Sequence, residues 1–132
     1  MKKILILVVA FLSLLLTGCF GPGTQDWTYD ITDEYSIIRS NTQNIVLTKN
    51  NTEVIPTYVK EFAFTDKYIL VKRTNIENDK PSEKIANYYI VNIENSDIIK
   101  IDDKTSFDNN IGKLNIQKLN WIKTYPRPEG AR

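Results

Sequence analysis

The chain has 132 residues, of which 17 are Lys or Arg and 16 are Asp or Glu, so its net charge is close to zero. This length suits one folded domain, and the even mixture of charges predicts no long-range attraction to nucleic acid or to anionic lipid. There is no histidine, which excludes a histidine base, a Ser–His or Cys–His nucleophile pair and a histidine-bound metal.

The first 18 residues have the layout of a secretory signal peptide. Lys2 and Lys3 provide a positive start, and the segment from Ile4 to Leu16 is almost entirely apolar. This apolar segment is shorter than the roughly 20 residues that a membrane-spanning helix needs. We therefore predict that residues 1–18 are a signal peptide and not a membrane span.

The only cysteine of the chain, Cys19, ends the sequence Leu16-Thr17-Gly18-Cys19. This stretch resembles the lipobox of bacterial lipoproteins. The resemblance implies cleavage before Cys19, a diacylglyceryl group on its sulfur, and a protein that is anchored by lipid at the extracytoplasmic face of the cell membrane. Two acyl chains hold a protein at a membrane much more firmly than one. The alternative is an ordinary signal peptide in which the cysteine has no such role.

The mature chain would run from Cys19 to Arg132, and without Lys2 and Lys3 it has fifteen basic and sixteen acidic residues. We expect residues 19–26 to be the lipidated N-terminus and a flexible tether. Residues 27–124 are predicted to form a single β-rich extracytoplasmic domain, and residues 125–132 a flexible tail. Because an acylated Cys19 leaves no thiol for a disulfide, the fold would depend on packing alone.

Short apolar segments separated by turn residues predict antiparallel strands. Turns are expected at residues 49–52, 65–67 and 94–96, where Asn and Asp accept a left-handed backbone. Residues 74–83 are polar and are predicted to form the longest exposed loop. The candidate strands are Trp27–Ile31, Tyr35–Ser40, Asn44–Lys49, Thr57–Phe64, Tyr68–Arg73, Asn87–Ile93 and Asp97–Asp102, with a final extended segment at Leu119–Ile122.

Two strands carry apolar side chains on both faces, Tyr68–Val71 and Tyr88–Val91. We expect them at the centre of the sheet, with a cover on each side. A helix over Ser106–Leu114, capped by Thr105 or Ser106, would cover one face. The other face would be closed by curvature of the sheet or by the early strands. The predicted fold class is mainly β (a β-rich α+β fold), a curved antiparallel meander sheet of about six to seven strands with one short C-terminal helix packed on it.

Three segments of the predicted sheet carry a resemblance to a known group of proteins. They are "EYSIIR", "FTDKYILVKR" and "NYYIVNIENSDIIKI", and a helix that begins close to Phe107 follows them. Together they resemble a group of small Gram-positive lipoproteins known only as a domain of unknown function. The resemblance spans residues 26–116 and implies no catalytic or binding residues.

Carboxylates are the remaining candidates for catalysis, because Cys19 is assigned to the anchor and no glycine-rich phosphate loop is present. Acidic residues are adjacent at Asp33-Glu34 and at Asp102-Asp103. Adjacent carboxylates point apart in a strand and are usually solvated in a turn, so neither pair indicates a converging acid and base. We predict that the protein is not an enzyme and has no cofactor.

Hard oxygen donors around the predicted strand-to-helix turn are weak candidates for a calcium site. They are Asp102, Asp103 and Asp108, and Asn109 and Asn110 follow. Their spacing is not that of an EF-hand, since no loop with a glycine ends in a bidentate glutamate. The alternative is a solvated turn in which Asp108 stabilises the first turn of the helix.

Aromatic residues are the last signal, with 2 Trp, 7 Tyr and 5 Phe in the chain. Trp27, Tyr88 and Trp121 are candidates for contact with an envelope protein or a wall glycan, the two tryptophans because they lie near the ends of the domain. The alternative is that these aromatic residues belong to the core and rim of a small β-domain. The sequence does not indicate the oligomeric state.

The function that these features predict is that of a lipid-anchored envelope lipoprotein, a non-enzymatic binding or accessory module. A second class of function is an immunity or inhibitor lipoprotein that acts on a toxin or hydrolase at the membrane surface. Both depend on the anchor at Cys19.

Overall fold

The computed structural model describes residues 26–132. The predicted signal peptide, the lipobox Leu16-Thr17-Gly18-Cys19 and nearly all of the tether therefore lie outside the described residues. The elements, in chain order, are β1 (Trp27–Asp30), β2 (Tyr35–Asn41), β3 (Asn44–Lys49), β4 (Thr52–Ile55), β5 (Val59–Phe64), β6 (Tyr68–Glu77), β7 (Lys80–Asn92), β8 (Ile98–Ile101), α1 (Lys104–Lys113) and β9 (Ile122–Lys123).

The strands form two antiparallel sheets, so the prediction of one curved sheet is wrong while the prediction of a mainly β fold is confirmed. The first sheet is a meander in the order β1-β2-β3-β4, and the second has the order β8-β7-β6-β5-β9. The chain passes from one sheet to the other between Ile55 and Val59. Pro56 lies at this point, and because proline cannot donate a ladder hydrogen bond, it ends β4 and allows the chain to leave the first sheet.

The main core lies between the two sheets. Alternation along β6 turns Ile69 and Val71 toward the first sheet, where they are fully buried, and turns Leu70 to the opposite face. From the first sheet, Ile37 and Leu47 are likewise fully buried in this core. The early strands therefore close one face of the second sheet, which was one of the two covers that we considered.

The helix covers the other face of the second sheet, as predicted. Phe107 of α1 is buried there with Leu70, Tyr88 and Ile90. The Tyr88 and Phe107 rings stack with their centroids 4.6 Å apart. Because β6 and β7 have a cover on both faces, the prediction that these two strands are central is confirmed.

The helix begins earlier than predicted, because Asp103 and neither Thr105 nor Ser106 is its N-cap. The Asp103 backbone is extended, and its Oδ1 accepts a hydrogen bond of 2.8 Å from the Ser106 backbone N–H. This bond satisfies a donor that the first turn of a helix leaves without a partner. Asp108 is not in the first turn; its Oδ2 lies 2.7 Å from the Lys104 Nζ.

The predicted loop at residues 74–83 is wrong, since most of it is strand. β6 continues to Glu77 and β7 begins at Lys80, so the two strands form one long hairpin. Asn78 and Asp79 make its turn with φ values of 51° and 63°, the left-handed pair that a two-residue hairpin turn requires. Polar residues indicated a loop here, but the hairpin is exposed except on the face of Thr74, which is buried, and Ile76, which packs partly against the main core. A hairpin with so little buried surface has little need of apolar alternation.

The two expected turns at residues 49–52 and 94–96 are present. Asn50 and Asn51 have φ values of 50° and 64°, and Ser96 has a φ value of 66°. The tight turn at Asn50 and Asn51 leads directly into β4, a strand that the sequence did not reveal. The third expected turn, at residues 65–67, is also present, with the Thr65 Oγ1 accepting from the Tyr68 backbone N–H.

Candidate functional site

A groove of about 930 Å³ lies at the end of the domain where the chain enters β1. Five separate segments of the chain contribute to its lining. They are the start of β1, the end of β2, the segment around the start of β5, the start of β7 and the residues after β9. The side chains that characterise the groove are Trp27, Arg39, Tyr58, Lys80, Tyr125 and Arg127.

The aromatic part of the lining combines buried and exposed rings. Trp27 and Tyr58 are buried, with 4% and 6% of their surface exposed, whereas Tyr125 is 81% exposed. Burial raises the pKa of the Tyr58 hydroxyl above its usual value, so this ring stays neutral at physiological pH. Both cis peptide bonds in the described residues, Thr57–Tyr58 and Tyr125–Pro126, are in segments that line the groove. The groove thus offers apolar ring surface with one largely accessible tyrosine.

Cationic side chains outnumber acidic ones in the lining. Arg39, Lys60, Lys80 and Arg127 line the groove, and the only acidic side chain among its lining residues is Glu83. Lys60 is already engaged, because its Nζ lies 3.0 Å from the Glu83 Oε2 and 3.1 Å from the Glu83 carbonyl oxygen. The groove therefore has an excess of positive charge although the whole chain has almost equal numbers of basic and acidic residues, 17 and 16.

The Lys80 and Arg127 side chains line the groove and form no ion pair with an acidic side chain among residues 26–132, although Glu77 is the cross-strand partner of Lys80. Among residues 26–132, the Lys80 side chain forms no hydrogen bond or ion pair. Arg127 donates one hydrogen bond of 2.7 Å from its Nη2 to the Ala131 carbonyl oxygen, and it has no acidic partner in the described part of the chain. Arg39 differs from both, because its Nη1 lies 3.9 Å from the Asp26 Oδ1.

The long β6–β7 hairpin places Lys80 at the groove. The Thr74 hydroxyl, which is fully buried, is within 2.8 Å of the Ser82 carbonyl oxygen and 2.6 Å of the Lys84 carbonyl oxygen, and so holds the two strands where their register shifts. The turn of the hairpin is also fixed to the first sheet, since the Gln43 Nε2 donates 3.1 Å to the Asp79 carbonyl oxygen. These contacts hold the tip of the hairpin in place and thereby position Lys80 at the groove.

The C-terminal segment forms another wall of the groove. After β9 the chain passes Tyr125 and Arg127, buries Pro128 and returns to β1. Arg132 and Thr28 exchange two backbone hydrogen bonds of 2.9 and 2.8 Å. We call residues 125–132 the C-terminal strap. The sequence predicted a flexible tail here, and the strap has bonding partners on β1 that the sequence did not indicate.

Residues 32–125 match a protein family described as a protein of unknown function (DUF3997). The match covers well over half of the chain. It extends from Thr32, in the turn before β2, to Tyr125, two residues after the end of β9. The chain belongs to this family. No curated protein and no solved structure shows a significant match. The expectation of a domain of unknown function is thus confirmed, and the family supplies no site residues.

Two of the predicted contact residues, Tyr88 and Trp121, lie on the face of the second sheet that α1 covers. Tyr88 is 9% exposed beneath α1, so it belongs to the core and is not a surface contact. Trp121 is partly buried, and the Lys72 Nζ lies 4.1 Å from the centroid of its ring. Trp27, the third predicted residue, is buried as well, but it lines the groove.

The weak metal candidates each have a local partner. Asp103 caps α1, Asp108 pairs with Lys104, and the Asp102 Oδ1 accepts a hydrogen bond of 3.0 Å from the Asn87 Nδ2. The Ser106 backbone N–H is the first cause of a lowered pKa of Asp103. Between residues 26 and 132, no three His, Cys, Asp or Glu side chains lie close enough to hold a metal ion.

The groove residues Tyr58, Lys80, Tyr125 and Arg127 were not predicted from the sequence. Lys80 lay in the supposed loop, and Tyr125 and Arg127 in the supposed tail. The sequence "YPRP" at 125–128, an aromatic ring and a guanidinium next to prolines, is a signal for Tyr125 and Arg127, whereas no sequence signal points to Tyr58 or Lys80. In the described residues no helix is long and apolar enough to cross a membrane.

Proposed function

We propose that this protein is a lipid-anchored, non-enzymatic binding or accessory protein at the extracytoplasmic face of the cell membrane, and that the groove is its binding site. The lipobox at Leu16 to Cys19 supports the anchor. The site supports a binding role because it offers aromatic surface and two cations that form no ion pair among the described residues, the groups from which ligand contacts are commonly made.

One observation carries the proposal. Five segments that are far apart in the sequence bring Trp27, Tyr58, Tyr125, Lys80 and Arg127 to one concave surface. Specific hydrogen bonds hold the hairpin and the strap that contribute three of these residues. A concave surface with a few polar groups in defined positions is the usual form of a ligand site.

The acidic residues support binding over catalysis. Each of Asp102, Asp103 and Asp108 stabilises the strand-to-helix turn or the helix. Asp33 and Glu34 are exposed in the turn between β1 and β2, away from the groove lining. A hydrolase would need two carboxylates that converge on one cleft.

The anchor is tested with Cys19→Ser in the cells that make the protein. We expect the wild type to take up labelled palmitate, and the variant to lose the label and to appear in the medium as a folded domain. Circular dichroism of the released variant checks its fold. Palmitate on the variant, or a native protein with a free Cys19 thiol by mass spectrometry, would contradict the anchor.

The groove is tested by placing a photo-crosslinking amino acid at Tyr125, which is 81% exposed, and for comparison at Ile99, which is 44% exposed on β8. On intact cells we expect the probe at position 125 to capture an envelope component that the probe at position 99 does not. Capture of a secreted toxin or hydrolase would select the inhibitor class, and capture of wall glycan would select a wall-binding module. Equal products at both positions would count against the groove.

A further inference from the structure

We propose that the groove binds the phosphates of anionic phospholipid head groups in the same membrane that carries the anchor. Lys80 and Arg127 are the contacting cations, and Tyr125 lies beside them at the membrane interface. This inference rests on the proposed function, because it requires the anchored state. It adds the chemical class of ligand and the orientation of the domain on the bilayer.

The first argument is the local charge. Lys80 and Arg127 line the groove and have no acidic partner among residues 26–132. Glu83, the acidic residue of the lining, is held by Lys60 at 3.0 Å. The total charge of the chain is balanced, and the local excess of cations arises because the start of β7 and the strap line the same groove. Basic groups held close to a bilayer are attracted to its anionic head groups, and this attraction acts only within about a Debye length.

The second argument is the position of the chain entry. Trp27 lines the groove and is the first residue of β1. It is separated by only eight residue steps from Cys19, and eight steps of extended chain reach at most roughly 26–29 Å. The lipid anchor therefore holds the start of β1 within this distance of the membrane, a distance short enough to let the groove reach the head groups.

The third argument is the exposed aromatic ring. Tyr125 is 81% exposed next to Pro126 and Arg127. Tyrosine side chains favour the head-group level of a membrane because the ring is apolar and the hydroxyl is polar. The exposed Tyr125, together with the two cations of the groove, is therefore suited to the head-group level of the membrane.

The test uses the mature full-length chain with Cys19→Ser, so that binding does not depend on the acyl chains. Cosedimentation compares vesicles of phosphatidylcholine alone with vesicles that also contain phosphatidylglycerol. We expect binding to the anionic vesicles and a decrease as salt is added. The double variant Lys80→Gln/Arg127→Gln should weaken this binding roughly 25-fold, which corresponds to about fivefold for each cation.

Two further variants separate charge from structure. Lys100→Gln/Lys113→Gln removes the same number of charges from exposed positions on β8 and α1, and it should retain most of the binding. Arg127→Lys keeps the positive charge but cannot reproduce the guanidinium bond to Ala131. Full binding by Arg127→Lys would show that the charge matters and not the strap contact.

The outcomes distinguish this inference from the function on which it rests. If the wild type carries palmitate but the released chain does not prefer anionic vesicles, or if both double variants lose binding equally, the head-group site is wrong and the anchor stands. Binding of soluble glycerol phosphate without binding to vesicles would overturn the membrane source of the phosphate. If palmitate is absent, the proposed function fails whatever the vesicles show.

Discussion

The side chain of Arg132, the last residue of the chain, forms an ion pair with Asp30 at the end of β1, with 2.8 Å between the Arg132 Nε and the Asp30 Oδ2. The Ser36 hydroxyl donates to the other carboxylate oxygen of Asp30 at 2.8 Å. Together with the backbone bonds between Arg132 and Thr28, this pair secures the strap that forms one wall of the groove. The side chains are exposed, so the pair serves to position the strap more than to stabilise the fold.

Asp30→Asn should loosen the strap without unfolding the domain. We expect lower hydrogen-exchange protection at the Thr28 and Arg132 amides, whose bonds join strap and β1, and unchanged protection in β6. Asp33→Asn, an exposed acidic residue in the neighbouring turn, is the matched control. Equal protection in wild type and Asp30→Asn would show that the backbone bonds suffice.

The same pair gives the strap a defined pH dependence. The Arg132 hydrogen bond, followed by that of Ser36, lowers the pKa of Asp30 below its usual value. A carboxylate with a lowered pKa in the folded state stabilises above its unfolded value of about 3.9, and this contribution is lost as pH falls through the folded value. Protection of Thr28 and Arg132, corrected for intrinsic exchange, should therefore decrease in acid in the wild type and stay flat in Asp30→Asn.

Phe62 and Phe64 are a matched pair on β5 for testing the core. Phe62 is fully buried and packs edge-on against Tyr29 with centroids 5.0 Å apart, whereas Phe64 is 38% exposed. Phe62→Ala should lower the free energy of unfolding by about 3–5 kcal/mol, as measured by urea unfolding. Phe64→Ala should cost much less, and similar losses in the two variants would contradict the core between the sheets.

Asp103→Ala should shorten or weaken α1, because it removes the acceptor of the Ser106 backbone N–H. We expect a lower melting temperature and weaker protection of the amides at the start of the helix. Asp103→Asn keeps an oxygen acceptor at the cap and should retain most of the stability. If Asp103→Ala melts like the wild type, the cap makes no net contribution.

Lys72 and Trp121 form a cation–π pair at the edge of the helix-covered face, with the Lys72 Nζ 4.1 Å from the ring centroid. A double-mutant cycle of Lys72→Met and Trp121→Leu should give a coupling free energy of about 0.5–1 kcal/mol. Lys72 also lies 3.6 Å from the Glu61 Oε2, so the cycle is repeated with Glu61→Gln. Zero coupling in both backgrounds would contradict the interaction.

The elements that depend on neighbouring residues were predictable. The continuous apolar segments Tyr68–Val71 and Tyr88–Val91 indicated strands with two buried faces, and both are central in the second sheet. Asn50 and Asn51 indicated a turn, and both have left-handed backbone angles. In these cases the physical cause acts within one or two residues, either through the twofold repeat of a strand or through the tolerance of asparagine for positive φ.

Features that depend on distant residues were not predictable. The β6–β7 hairpin carries too little apolar alternation to be recognised as strand, and it is held by Thr74 and by the contact of Gln43 with Asp79. The sequence did not indicate that the strands divide into two sheets, because this division depends on the core that the two sheets share. Trp27 and Tyr88 were candidates for a partner contact with a place in the core as the alternative, and partners from other strands and from α1 bury them.

The sequence by itself determined most of the strand-forming segments, three of the tight turns and the approximate position of one short helix, and its lipobox-like motif is the basis of the anchor that we propose at Cys19. These follow from periodicity, backbone preference and a local motif, which need no knowledge of the rest of the chain. Only the tertiary structure decided that there are two sheets and that cations gather in one groove. Lys60 and Glu83 are 23 residues apart and Asp30 and Arg132 are 102 apart, and contacts over such separations exist only once the whole chain has packed.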